Sequence, residues 1–432
     1  MSNTEELLSF ISESPSTFHV IENFRSLLLT RGYTELFEGE HWSLRAGGRY
    51  FLRKNGTTLL SFRIPVGEPR GFMLAAAHSD SPALRLKENA ERLSADCVQL
   101  ATETYGGALL STWFDRPLSV AGRVLSEENG KLVTRLVNLD RDLLIIPSVA
   151  IHMNRAANDG WKINPAVDTL PLYGGADTLG SFEGEVARAA GVRSEQILAR
   201  DLSLYVRGRG TLLGEEGEFI SSPRLDDLEC AWSLMQGFLS AGESAAIPVC
   251  CIFDNEEVGS ETKQGAASHL LRDTLRRIVL STGGGEEDYL RLLANSLLLS
   301  ADNAHARHPN HPEYADPNNS PRMNGGIVVK FNANQRYATD AVSAALFRTL
   351  CREAGVPVQV FSNRSDLPGG STLGSIADTL VSVPTVDIGL AQLAMHSCWE
   401  TAGAKDVDYL IAAARLCFSR CIESRDGEYE IR

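Results

Sequence analysis

From about residue 4 to residue 32 apolar side chains recur at helical spacing, with Leu7, Leu8, Ile11, Val20, Phe24, Leu27 and Leu28 on the repeating positions. Ser14-Pro15-Ser16 interrupts the run and predicts two helices with a break between them. Residues 57–64 (TTLLSFRI) and 71–77 (GFMLAAA) read as strands, and the second is apolar nearly throughout, as a strand covered on both faces must be. From about 90 to 220 the texture changes to short β-like runs (LSVAGRVL, LVTRLV, LLIIPSVAIH, DLSLYVRG) separated by turns, with one helical stretch at 183–190. After Arg224 helix and strand patterns alternate again. Helices are predicted over 228–241, 266–280, 339–353 and 406–422, and strands over 247–254, 296–302, 326–330 and 358–361. Such alternation predicts an α/β fold, a mostly parallel sheet with helices on both faces, interrupted by an inserted β-rich domain. The boundaries expected are 1–90 with 224–432 for the discontinuous α/β domain, and 91–223 for the insertion.

The 432 residues are too many for one simple core, which agrees with two domains. A formal net charge of −14 argues against nucleic acid and anionic membranes as partners, without excluding a local basic pocket. The eight cysteines form no CxxC pair, so reduced, partly buried thiols are expected. The acidic, amphipathic start lacks a basic region followed by an apolar core and is not expected to be a secretory signal. The longest apolar runs, such as 245–253, are far too short to span a bilayer. A soluble, cytoplasmic protein is expected.

Five positions stand at the ends of predicted strands or in the loops after them: His78 (AAAHSDSP), Asp226 (SPRLDDLE), Glu256-Glu257 (FDNEEVGS), Asp302 (SADNAHARHP) and His396 (LAMHSCWE). Sites of open α/β sheets lie outside the carboxyl ends of strands. Taken singly, each has an ordinary reading: a hydrogen-bonded histidine, a turn aspartate, a solvated glutamate. Together, in apolar surroundings, two histidines and three acids have the chemistry of a two-zinc centre. Asp226 is the natural bridge, with His78 and Asp302 on one ion and Glu257 and His396 on the other, a pairing that spacing alone does not prove. Adjacent side chains of an extended segment diverge, so one of Glu256 and Glu257 can bind metal while the other reaches a water as general base. Asp80 can either receive the second ring N–H of His78 or orient the loop. His305, His308 and His311 repeat at metal-like spacing. Pro309 and Pro312 preclude a regular helix there, which favours substrate-side or loop-ordering roles.

The stretches AAAHSDSPALRLK, ETYGGALLSTWFDRPLSVAGRV, IPSVAIHMNR, SPRLDDLECAW, FDNEEVGSETKQGA, SADNAHARHPNHPEYAD, NANQRYATD, GGSTLGSI and AMHSCWETAG resemble, in order, the aspartyl aminopeptidase and aminopeptidase I family of zinc metallopeptidases. The resemblance implies a zinc-exopeptidase fold with two Zn²⁺ per subunit, bound by His78, Asp226, Glu257, Asp302 and His396, with Asp226 bridging. It implies that Glu256 is the general base and that Lys330 and Tyr337 help hold the substrate; Asp80, read from its place beside His78, is grouped with Glu256 in the catalytic set. By the same resemblance His152 reaches a neighbouring subunit's site, and the inserted domain mediates dimerisation within a dodecamer built from dimers. The implied activity is removal of single N-terminal residues from peptides, with a preference for Asp or Glu that Lys330 would serve. One departure stands out: the family typically carries Asn after the bridging Asp, where this chain has Asp227. The rivals are another two-zinc hydrolase, such as a carboxypeptidase, dipeptidase or deacylase, and a non-catalytic protein that has kept the fold.

Overall fold

The computed structural model describes residues 1–432. Its centre is a nine-stranded sheet. From edge to edge the strands are Thr34–Leu36, Arg49–Lys54, Thr58–Arg63, Ile247–Phe253, Phe72–His78, Leu297–Ala301, Thr385–Gly389, Ile327–Lys330 and Val358–Phe361. The four middle strands, Ile247–Phe253 to Thr385–Gly389, run parallel. Thr58–Arg63 and Ile327–Lys330 run antiparallel to the strands of this centre that they join, so the sheet is mixed around a parallel core. An all-apolar strand announces burial on both faces but not its direction, which is why the antiparallel members were not legible in advance.

Burial follows the two-residue period of a strand. Phe72, Leu74 and Ala76 face a core that contains Leu275, Ile278 and Leu373. Met73, Ala75 and Ala77 face the opposite core, with Leu228, Phe238 and Leu410. Helices Leu225–Ser240 and Ala404–Cys417 therefore cover one face, and Leu270–Ser281 and Leu373–Val381 the other. The predicted break falls between helices Asn3–Ser12 and Thr17–Thr30, the first opened by a Ser2–Glu5 capping box. Three helices, the single-turn Pro165–Asp168 and the longer Glu286–Ala294 and Leu373–Val381, lie outside the predicted set. The helix expected over 406–422 ends at Cys417, and Ile422 starts a terminal hairpin.

A second, wholly antiparallel sheet has the order Lys131–Asn138, Leu118–Glu128, Ile197–Val206, Ala83–Ser94, Cys97–Tyr105, Leu172–Gly175. Helix Phe182–Ala190 covers it through Phe182 and Val186, which pack with Val120, Leu202 and Leu204. Its strand Ala83–Ser94 starts upstream of residue 90. Strands Thr211–Leu213 and Phe219–Ser222 leave this unit and join a five-stranded sheet through Glu400–Gly403. All eight cysteines are free, and no helix is long and apolar enough to cross a membrane.

Candidate active site

The carboxyl ends of the central parallel strands meet along one edge of the sheet. Strand Phe72–His78 ends in His78, and strand Leu297–Ala301 is followed at once by Asp302. Strand Ile247–Phe253 leads through Asp254 and Asn255 to Glu256 and Glu257. Asp226 and Asp227 depart from helical geometry, so regular helix begins only after them. Asn255 (φ 61°) and His396 (φ 66°) both adopt the left-handed region. Asn tolerates it, whereas His396 holds it against roughly 1–2 kcal/mol.

The donor atoms form two groups that share Asp226: His78, Asp226, Asp227 and Asp302, and Asp226, Glu257 and His396, each within 4.8 Å of one another. His78 Nε2 lies 3.5 Å from Asp226 Oδ1 and 4.0 Å from Asp302 Oδ1. His396 Nε2 lies 3.6 Å from Asp226 Oδ2 and 3.3 Å from Glu257 Oε2. Ordinary N–H···O bonds are about 2.7–3.2 Å, so these contacts are long for hydrogen bonds. Zinc ligands at about 2.0–2.2 Å with tetrahedral angles stand roughly 3.3–3.6 Å apart, which matches three of the four. Glu257 Oε1 and Asp227 Oδ1 are also buried without a hydrogen-bond partner. Such orphaned acceptors call for a cation or water, and the donor set fits a pair of zinc ions.

The surroundings turn both rings the right way. His78 Nδ1 meets the Asp80 carbonyl at 3.0 Å, and His396 Nδ1 meets the Gly107 carbonyl at 3.1 Å. Each Nδ1 proton thus has an acceptor, and each Nε2 lone pair faces the shared carboxylate. Gly107 must approach closely: a Cβ there would sit 3.2 Å from His396 Nδ1. Asp80 accepts from Tyr105 Oη at 2.6 Å and from the main-chain N–H groups of Glu256 and Glu257 at 3.2 Å each. It therefore orients His78 and the acidic pair together. The pair itself forms a short 3₁₀ turn, not the extended segment expected from sequence, because Asn255 bends the chain and Asp80 caps the freed N–H groups. Successive side chains still diverge there, by about 120°.

Glu400 was missed by sequence reasoning. It is buried, accepts from Asp226 N–H at 3.0 Å with one oxygen and from His396 N–H at 2.8 Å with the other. It ties the shared ligand to one end of the site. In the sequence it resembles any strand acid, and only its apolar neighbours Cys398 and Trp399 hinted at burial. Asp227 is fully buried and accepts the His78 main-chain N–H at 3.1 Å.

An open cavity lies beside these groups, walled by Glu256, Asp302, His305, Lys330, Tyr337 and Thr372 among others. Lys330 donates to the Asn303 carbonyl at 2.8 Å, and its ammonium lies 3.6 Å from Asp302 and 5.5 Å from the Tyr337 ring centroid. Burial lowers the Lys330 pKa, but Asp302, Tyr337 and Asp387 outweigh it and hold the pKa above its usual value, so the side chain stays charged. His305 packs edge-on to Phe361 in the cavity wall. His308 and His311 are exposed, and the three histidines form no ligand group. His152 sits on an exposed turn and lines no part of the cavity in its own subunit. A separate cavity touches the backs of Asp80, Asp226 and Glu400 but none of Glu256, Glu257, Asp302 or His396, so the chemistry belongs to the first.

Burial, then the charges of Asp302, Asp80 and Asp226, push Glu256 up to about 8. Burial and Asp226 likewise hold Glu257 well above the carboxylate range. Around His78 burial favours the neutral ring, yet Asp227, Asp226 and Asp80 together hold its pKa well above the usual value. Burial thus favours the protonated form of Glu257, and the surrounding carboxylates favour that of His78, when no cation is present, and ligation must displace those protons. Zinc titrated into chelator-stripped protein at pH 7 is expected to release protons, with affinity rising as pH rises from 6 to 8. Calorimetry in buffers of different ionisation enthalpy checks this, and an enthalpy independent of buffer would contradict it.

The model of the family described as aminopeptidase I zinc metalloprotease (M18) matches residues 10–418. A relative in Clostridium acetobutylicum, named "Probable M18 family aminopeptidase 2", is 46% identical over 417 residues, covering 94% of this chain and 96% of the relative. One in Pseudomonas paraeruginosa, with the same name, is 42% identical over 414 residues, covering 94% and 95%. Among solved structures, prApe1 superposes with a TM-score of 0.91 at 29% identity, covering 96% of this chain and 94% of that one. The mApe1 dodecamer of S. cerevisiae superposes with a TM-score of 0.84 at 28% identity, covering 96% of both.

Proposed function

The chain belongs to the aminopeptidase I zinc metalloprotease (M18) family and is a metallo-aminopeptidase, and on that premise we propose that its site works with two zinc ions bridged by Asp226. His78 and Asp302 complete one position, and Glu257 and His396 the other. The observation that carries this reading is the placement of one Asp226 oxygen toward each histidine, at 3.5 and 3.6 Å. When bound, the ions supply Lewis acidity toward the scissile carbonyl and lower the pKa of the attacking water.

The remaining steps belong to the protein. Glu256 takes the proton of the water as it attacks the carbonyl, and gives it to the departing amine. Its pKa, pushed up to about 8 in the metal-free protein, falls when cationic charge stands beside it, which favours the ionised form that accepts the proton. Asp80 holds the turn that aims Glu256, and Glu400 fixes Asp226 and His396. The free α-amino group of the substrate lies on the Glu257 and His396 side, which makes cleavage exo-acting. Peptides with a free N-terminus should be cut and N-blocked ones spared. The reverse would favour a carboxypeptidase, dipeptidase or deacylase.

The substrate's first side chain enters the cavity beside Lys330 and Tyr337, and acidic N-termini are preferred. A buried charge-assisted hydrogen bond is worth roughly 1.5–3 kcal/mol, so Asp- and Glu-terminal peptides should exceed Leu-terminal ones about 10- to 100-fold in kcat/KM. Lys330→Gln should remove most of that difference. A preference for Leu in the unaltered enzyme would sink the acidic pocket. The assembly follows the dodecameric relative, with 91–223 making dimer contacts and His152 entering a neighbour's site in a cytoplasmic enzyme. The exposed Val149, Ile151 and Met153 around His152 support burial there.

A further inference from the structure

Two segments form the wall of the substrate cavity away from the metal ligands. One runs from Asn332 to Asp340 and carries Tyr337, and the other from Asn363 to Thr372 contributes Gly370, Ser371 and Thr372. No main-chain hydrogen bond joins them. Behind both stands Asp387, on a central strand and fully buried, outside the cavity itself.

Its carboxylate is divided between them. Oδ2 accepts the main-chain N–H of Ala338, the residue after Tyr337, at 2.5 Å. Oδ1 accepts the hydroxyl of Thr372 at 2.6 Å. The Asp387 N–H donates in turn to Thr339 Oγ1 at 2.8 Å, a second tie to the first segment. Approach is close enough that a Cβ on Gly374 would fall 2.4 Å from Oδ1, so the second segment can sit here only because Gly stands at 374. One outer contact, Arg336 to the Gly369 carbonyl at 3.2 Å, is exposed and correspondingly weak.

We propose that Asp387 is a positioning residue for substrate binding: its two oxygens set the spacing between Tyr337 and Thr372, and so the shape of the subsite for the N-terminal side chain. This rests on the reading that the cavity receives that side chain. Ala338 can only donate, whereas the Thr372 hydroxyl, which donates here, can also accept. In Asp387→Ala both acceptors are gone and neither segment is held, whereas Asn keeps the Ala338 N–H on its oxygen and can give its NH₂ to the Thr372 hydroxyl.

The test uses kinetics with whichever N-terminal residue the unaltered enzyme cleaves best, so an error about acidic preference leaves it intact. Asp387→Ala is expected to raise KM about tenfold or more while kcat stays within about threefold, the pattern of lost uniform binding, and Asp387→Asn should recover most of that loss. Zinc content should stay normal. Thr372→Val, which removes one donor only, should raise KM about threefold or more, and Thr372→Ser should recover most of that loss. Should Asp387→Ala fail to fold, the Thr372 pair decides alone. An unchanged KM in Asp387→Ala, a kcat loss as large as the KM rise, lost zinc, or Thr372→Ser behaving like Thr372→Val would overturn the proposal.

Discussion

Glu256→Gln is expected to lower kcat roughly 10²–10⁴-fold, the usual span for a positioned general acid–base group, while zinc content stays close to that of the unaltered enzyme. The two readouts separate because of where Glu256 stands. It belongs to neither donor group, whereas its neighbour Glu257 belongs to one. It lines the cavity with Asp226, Asp302 and His396 and so faces the place where water and carbonyl must meet. Gln keeps the size and the hydrogen-bonding reach but cannot accept a proton, so folding and binding should survive. Turnover near that of the unaltered enzyme would remove Glu256 from its role. Loss of zinc alongside activity would instead make it a ligand.

Asp226→Ala should be more severe, abolishing detectable turnover and stripping zinc from both positions. Asp226 is the residue common to the two donor groups, with one oxygen toward each histidine. Against the cost of burial, His78 and His396 hold its carboxyl below the usual range, so it is the ligand that comes ready ionised. Its removal leaves Asp302 and Glu257, both pushed upward by burial, to bind cations alone. His396→Ala is the informative companion, since it should empty one position and spare the other. Metal analysis of the two purified proteins distinguishes a shared ligand from two independent ones: two zinc ions retained in Asp226→Ala would refute the bridge.

Much of this site could be read from the chain because apolar strands deliver their functional residues to one edge. GFMLAAA running into His78, and LLLSA running into Asp302, need no long-range information. What could not be read is whatever depends on a partner distant in sequence. Glu400 looks like any strand acid until the fold places Asp226 and His396 against it. Asp80 could be paired with His78 from adjacency alone, but its hold on Tyr105 and on the 256–257 turn needed the structure. The turn itself defeated the extended reading, because one left-handed Asn outweighs a local pattern of acids. Likewise the order of the strands, with Thr58–Arg63 and Ile327–Lys330 inserted antiparallel, leaves no trace in hydrophobic periodicity. Asp387 shows the same limit: it reads as a strand-centre acid, and its meaning lies in two loops from elsewhere in the sequence.

Anomalous diffraction from zinc-loaded crystals, measured on both sides of the zinc edge, addresses the site most directly. Two peaks roughly 3.5–4 Å apart are expected, one against His78 and Asp302, the other against Glu257 and His396, with a carboxylate oxygen of Asp226 on each. A single peak, or a pair with Asp226 touching only one, would contradict the bridged centre.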